Sequence, residues 1–202
     1  MKSLSILILL LLLSVLMSGC ASVSLVSTMR DKGVPAKQYR KVLVVGVAAN
    51  PQMRQVFEEV FASEAVKNGF AGIPSYTITG VSEKPSRASL EEAVKKTGAD
   101  GVIITRIVGT KKETEAHTGF IMTDRGATDF YGLPVTYATF VHQPVEVTLS
   151  TEAAIETNLF DSGTGRMVWT GTSSAVNPEG IIKITGELAG KVIKAMAKDG
   201  LI

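Results

Sequence analysis

The 202-residue chain has one cysteine, one tryptophan and two histidines. A single cysteine cannot close an internal bridge, so the chain is not a disulfide scaffold. No charge sign dominates. The 21 basic residues face 19 acidic ones and no basic cluster stands out, which excludes an electrostatic nucleic-acid binder. Low net charge with 45% hydrophobic residues excludes a disordered chain. The length suits one domain with a full core, on a prior of roughly 150 residues per domain.

The N-terminus has an almost uncharged start. Lys2 is the only charge before Arg30, and an apolar run extends from Leu4 to Met17, interrupted by Ser5 and Ser14. These 14 residues fall short of the roughly 20 that span a bilayer. A basic start, a short apolar stretch and small residues after it form a secretory signal. Ser18 and Gly19 are those small residues, and the lone Cys20 follows. Met17-Ser18-Gly19-Cys20 resembles the bacterial lipobox. The resemblance implies cleavage between Gly19 and Cys20 and a diacylglycerol thioether on Cys20. Two acyl chains suffice for stable attachment, at about 0.8 kcal/mol per buried CH₂. Residues 1–19 are then a signal peptide. The mature chain, 20–202, has 183 residues and a net charge of +1 once Lys2 is gone. Ala21, where an aspartate would mark inner-membrane retention, implies the outer membrane and its periplasmic face. Residues 20–40 carry little periodicity and are expected to be a lipidated tether, up to about 70 Å long if extended.

Residues 41–202 are expected to fold as a single α/β domain. Val42 to Val47 is a β-branched apolar run suited to a strand buried on both faces. Asn50-Pro51 supplies a helix N-cap and N1 proline. Met53, Val56, Phe57, Val60 and Phe61 then form one apolar helical face, which leaves Arg54, Glu58 and Glu59 on a solvated one. A short strand around 76–78, a helix opened by a Ser89/Glu92 capping box and stopped at Gly98, and a buried strand at 101–108 complete a β-α-β-α-β order. That order predicts parallel pairing. Residues 145–160 alternate as a long strand with one face on the core, from Val145 to Leu159, and one in water. Asp161-Ser162-Gly163-Thr164-Gly165 turns the chain into a partner strand at 167–173 that carries Trp169. Asn177-Pro178 opens a last helix with Ile181, Ile184, Leu188, Val192 and Met196 on one stripe. The expectation is a mixed sheet in which β-α-β-α-β is followed by a long antiparallel hairpin and a C-terminal helix.

Residues 109–144 interrupt this pattern as a long loop insertion. They hold Phe120, Phe130, Tyr131, Tyr137 and Phe140, both histidines, four glycines and two prolines. Loops of that length in a compact domain are usually functional or disordered. The five aromatics are the candidate contact surface for a partner, a second copy of the chain or the membrane interface.

The segments Lys41 to Phe61, Gly98-Ala99-Asp100-Gly101 with the apolar run after it, and Leu159-Phe160-Asp161 through Trp169 and Gly171 occur together in one kind of protein. The chain resembles a family of envelope lipoproteins known as a domain of unknown function. It is more loosely similar to the group that holds the curli-secretion pore lipoprotein and the lipoprotein activators of penicillin-binding proteins. The resemblance covers about residues 41–108 and 145–199. It implies a non-enzymatic α/β module that binds proteins or assembles in the cell envelope, with an oligomeric secretion or assembly pore as the alternative.

The chemistry of catalysis is sparse. Asp161-Ser162-Gly163-Thr164 after Leu159-Phe160 follows the aspartic-protease pattern, but that chemistry needs two carboxylates sharing a proton and the chain has one copy. A hairpin turn capped by Asp161 is the expected reading, with an aspartic-type hydrolase behind it. Gly186 to Lys191 departs from a phosphate loop in spacing and lacks the following Ser or Thr. Those small residues are expected to let the last helix lie close to the sheet, with a dimer contact as the alternative. His117 and His142 sit 25 residues apart with no cysteine nearby, so no metal site is expected, and no cofactor beyond the lipid on Cys20.

Overall fold

The computed structural model describes residues 23–35, 37–48, 50–78, 85–114, 118–120, 129–130, 133–134, 148–176 and 180–202. Strand β1 (Val23–Arg30) comes first, then β2 (Lys41–Val47), helix α1 (Pro51–Lys67), β3 (Ala71–Pro74) and helix α2 (Arg87–Thr97). Next come β4 (Gly101–Thr114) and the short strands β5 (Thr118–Phe120), β6 (Asp129–Phe130) and β7 (Leu133–Pro134). The chain closes with β8 (Thr148–Asp161), β9 (Met167–Val176) and helix α3 (Ile181–Lys198). The main sheet runs β1-β9-β8-β4-β2-β3, with β5 paired to β4. β2 is parallel to both β3 and β4, while the neighbouring pairs β4–β8, β8–β9 and β9–β1 are antiparallel. The expected β-α-β-α-β unit, long hairpin and C-terminal helix are therefore present in a mixed sheet.

Two cores lie on the two faces. Val42, Val44, Ile103, Ile155, Leu159 and Trp169 pack with Phe61 of α1 and Leu188, Val192 and Met196 of α3. Leu43, Val45, Val102, Ile104 and Phe160 pack with Leu90 and Ala93 of α2. Alternate residues of β2 thus enter opposite cores, which is why its sequence is continuously apolar. The same cover explains why β8 is not half in water. Its residues alternate from Glu152 to Glu156 but are buried on both faces from Thr157 to Asp161.

Several local expectations are corrected. The segment read as a tether is a strand from Val23 to Arg30, hydrogen-bonded along β9. A bulge between Leu25 and Ser27 breaks its period of two, so the apolar residues do not alternate in sequence. The strand expected around 76–78 lies earlier, at 71–74, and Ser75–Thr77 is a 3₁₀ turn. The capping box of α2 is Ser86 with Ser89, and Glu92 instead pairs with Lys96 at 2.8 Å. Helix α3 opens behind Gly180, whose φ of 78° suits glycine; residues 177–178 lie outside the described part. The insertion is not strandless, since β4 continues to Thr114 and β5, β6 and β7 lie within it. Gly186 and Gly190 do not ease α3 onto the sheet: a methyl group built at either meets nothing within 4 Å. The close helix approach is made elsewhere, at Gly72, where a built Cβ lies 2.7 Å from the Ala62 backbone.

Candidate functional site

The sheet has one ragged end. Val23 pairs with Ala175, Ala175 with Ala153, and Ala153 with Thr110, so these four residues lie at one level. β2 stops at Val47, opposite Arg106. β4 runs on for eight residues past that point, about 26 Å of strand, paired with β8 as far as Thr114 and Thr148. The β4–β8 ribbon therefore projects from the Val23 end and carries the insertion. At its root Arg106 holds Glu156 at 3.1 Å, and Asn158 Nδ2 donates to the same carboxylate at 2.6 Å. Of the five aromatics, Phe120 is in β5 opposite Lys111, and Phe130 is in β6 opposite Leu133. Tyr131, Tyr137 and Phe140 lie outside the described residues, as do Gly19 and Cys20. The structure thus brings Phe120 back alongside the ribbon but does not gather the five into one described patch.

At the opposite end, Asp161 closes the β8–β9 hairpin. Its Oδ1 accepts from the Thr164 amide at 2.8 Å and the Thr164 hydroxyl at 3.0 Å. Its Oδ2 accepts from Lys37 Nζ at 2.7 Å and Tyr39 OH at 3.2 Å. Burial by itself raises the carboxyl pKa; the Lys37 and Thr164 hydrogen bonds outweigh it and bring the value down to about 2. Burial and the Asp161 charge in turn push the Tyr39 phenol above its usual range. Both carboxylate oxygens are committed to a turn and an ion pair, and no second carboxylate is hydrogen-bonded to Asp161 among the described residues. This is the arrangement of a capped hairpin.

The depressed value makes a pH prediction. A carboxyl that ionises more readily when folded stabilises the fold above its unfolded pKa, and that stabilisation disappears as pH falls through the folded value. The window therefore runs from about 3.8 down to about 2. Urea unfolding of the wild type should lose about 2 kcal/mol more than Asp161→Asn across that window. Equal acid sensitivity of the two proteins would count against the account of Asp161.

A third cluster lies under α1 and departs from the expectation of a solvated face. Arg54 and Glu58 are buried. Arg54 Nε donates to Glu58 Oε1 at 2.7 Å, and Arg54 Nη2 donates to Ser75 Oγ at 2.7 Å. Ser75 Oγ donates to Glu58 Oε1 at 2.8 Å. The Gly46 amide reaches Glu58 Oε1 at 3.0 Å, and the Tyr76 amide reaches Oε2 at 2.8 Å. The carboxylate thereby ties together the ends of β2 and β3. The buried stripe of α1 is Arg54, Glu58, Phe61, Ala62 and Ala65, turned from the face expected, and Met53 is 43% exposed. The available signal was the i, i+4 pair Arg54 and Glu58, in line with Phe61, Ala62 and Ala65. Glu59 is exposed and accepts a hydrogen bond from Tyr76 OH.

Among the described residues no group of three or more His, Cys, Asp or Glu side chains could hold a metal ion. His117 and His142 are outside them. No helix among the described residues is long and apolar enough to cross a membrane.

No protein-family model matches the chain, and no curated protein matches it. Solved structures do resemble it at low identity. The PelC dodecamer of Paraburkholderia phytofirmans is 14% identical with a TM-score of 0.46, over 85% of this chain and 94% of that one. Lipoprotein GNA1162 of Neisseria meningitidis is 15% identical with a TM-score of 0.42, over 78% of this chain and 98% of that one.

Proposed function

We infer that this chain is a non-enzymatic envelope lipoprotein. It is held at the periplasmic face of the outer membrane by a thioether-linked diacylglycerol on Cys20, and it captures a protein partner through the 109–144 insertion. What supports this reading most is the β4–β8 ribbon, which outruns β2 by eight residues of β4 and leads into the insertion. A sheet that needed only its own core would have no use for the extra strand length. Because the ribbon leaves from the Val23 end, three residues after Cys20, the partner it reaches is itself at the membrane. The reading takes no catalytic step from Asp161, whose bonds are those of a turn.

The test deletes residues 120–140. The urea midpoint of the deletion variant should stay close to that of the wild type, while its crosslinks to envelope proteins in intact cells disappear. An unchanged crosslinking pattern would refute the role of the insertion.

A second reading, an oligomeric component of a secretion or assembly pore, is favoured by β1. It is a sheet-edge strand with no charged side chain from Val23 to Met29, and Val26 and Met29 are 65% and 62% exposed. An uncharged open edge is a template for another strand. Light scattering on detergent-extracted protein separates the readings. A large ring supports the pore, and a monomer or dimer supports the binding module.

A further inference from the structure

We propose that the Val23 end of the domain lies directly on the lipid surface, with the first turn of α3 at headgroup depth, and that the domain has no stand-off from the membrane. This rests on the acylation of Cys20 inferred above, but the orientation is argued from separate observations.

The first observation is a length. The sheet begins at Val23, three residues after Cys20, so at most about 10 Å of chain separates the thioether from the folded body. A free segment reaching to residue 40 would have allowed about 70 Å. β1 removes that freedom, because it is bonded along β9 from Val23 to Arg30.

The second observation is a direction. The Val23 amide donates to Glu187 Oε2 at 3.2 Å, and Arg30 Nη1 donates to the Asp199 carbonyl at 2.9 Å. Helix α3 therefore runs beside β1 in the same sense. Ile182 precedes Glu187 by five residue steps, about 7.5 Å of helix, so the start of α3 extends past Val23 at the end where the chain enters the sheet. The overhang of α3 is thus within the reach of the chain from Val23 to Cys20, so acyl chains on Cys20 can enter a bilayer whose headgroups stand level with the helix start.

The third observation is what stands at that level. Ile182 is 66% exposed on the first turn of α3, with exposed Lys183 beside it, and Val176 at the end of β9 is 46% exposed. An exposed apolar side chain can bury at the headgroup boundary while a basic neighbour keeps its ammonium among anionic headgroups. The β4–β8 ribbon leaves from this end too, so it meets the same surface.

The test uses the one-cysteine composition. With Cys20 acylated, an introduced cysteine is the sole free thiol. Ile182→Cys and Lys198→Cys place a bimane fluorophore at the two ends of α3. Each acylated protein is reconstituted into phosphatidylethanolamine–phosphatidylglycerol vesicles containing a headgroup nitroxide lipid. The sites are about 24 Å apart along the helix, so quenching at 182 should exceed that at 198 by more than about threefold. Protein that floats with the vesicles yet is quenched equally at both sites overturns the orientation and leaves the anchor standing. Protein that does not float with them refutes the anchor, and the orientation falls with it.

Discussion

Glu58→Ala should destabilise the fold by about 3–5 kcal/mol, because it leaves the Arg54 guanidinium buried without its carboxylate. It also strips the amides of Gly46 and Tyr76 of their acceptor. Glu58→Gln keeps the shape and an acceptor oxygen but not the charge, and should fall between the alanine variant and the wild type. The double variant Arg54→Met/Glu58→Leu should recover part of the loss, since it removes the uncompensated guanidinium but still leaves the Gly46 and Tyr76 amides without their acceptor. Urea unfolding of the three variants measures this. A loss below about 1 kcal/mol for Glu58→Ala would contradict a closed ion pair at the ends of β2 and β3.

Trp169→Ala should cost about 3–5 kcal/mol, the range for emptying a large buried aromatic site. The indole is 1% exposed and belongs to the core between the sheet and α3. Its ring lies over Gly171, where a built Cβ would stand 2.4 Å from it. Its Nε1 donates to Asp199 at 2.9 Å and so fastens the end of α3 to β9. Trp169→Phe retains most of the ring but not the donor, and should cost about 1–1.5 kcal/mol beyond the volume lost. Gly171→Ala should approach the severity of Trp169→Ala, because the ring must move to admit the methyl group. Calorimetric unfolding of the three proteins checks the order. A Trp169→Ala protein that melts with the wild type would show that the indole is not part of the core.

The parts of the fold that were legible in the sequence have strong local signals. The β-branched run at 42–47 needs two apolar faces and has them. Asn50-Pro51 caps α1 as its chemistry requires, with Asn50 Oδ1 accepting from Gln52 and Met53. The turn at Asp161 was readable because Asp, Gly and Thr at those offsets satisfy a hairpin's own amides. What escaped depends on tertiary context. β1 has too few apolar residues and a bulge, and it exists because β9 offers it an edge. Arg54 and Glu58 look like an exposed i, i+4 pair until β3 brings Ser75 over them. The cap of α2 is ambiguous in sequence because Ser89 with Glu92 matches a capping box as well as Ser86 with Ser89 does, and only the extended backbone at Ser86 decides between them. The five aromatics of the insertion share a composition and not a periodicity, and among them Phe120 and Phe130 have a place in strands.

Attachment to the membrane depends most on Cys20. Tryptic digestion of the membrane fraction, followed by mass spectrometry, measures its state directly. The expected peptide begins at Cys20 and ends at Arg30, heavier than its sequence by a diacylglyceryl group. A peptide in which an unmodified Cys20 is still joined to Gly19 would contradict this attachment.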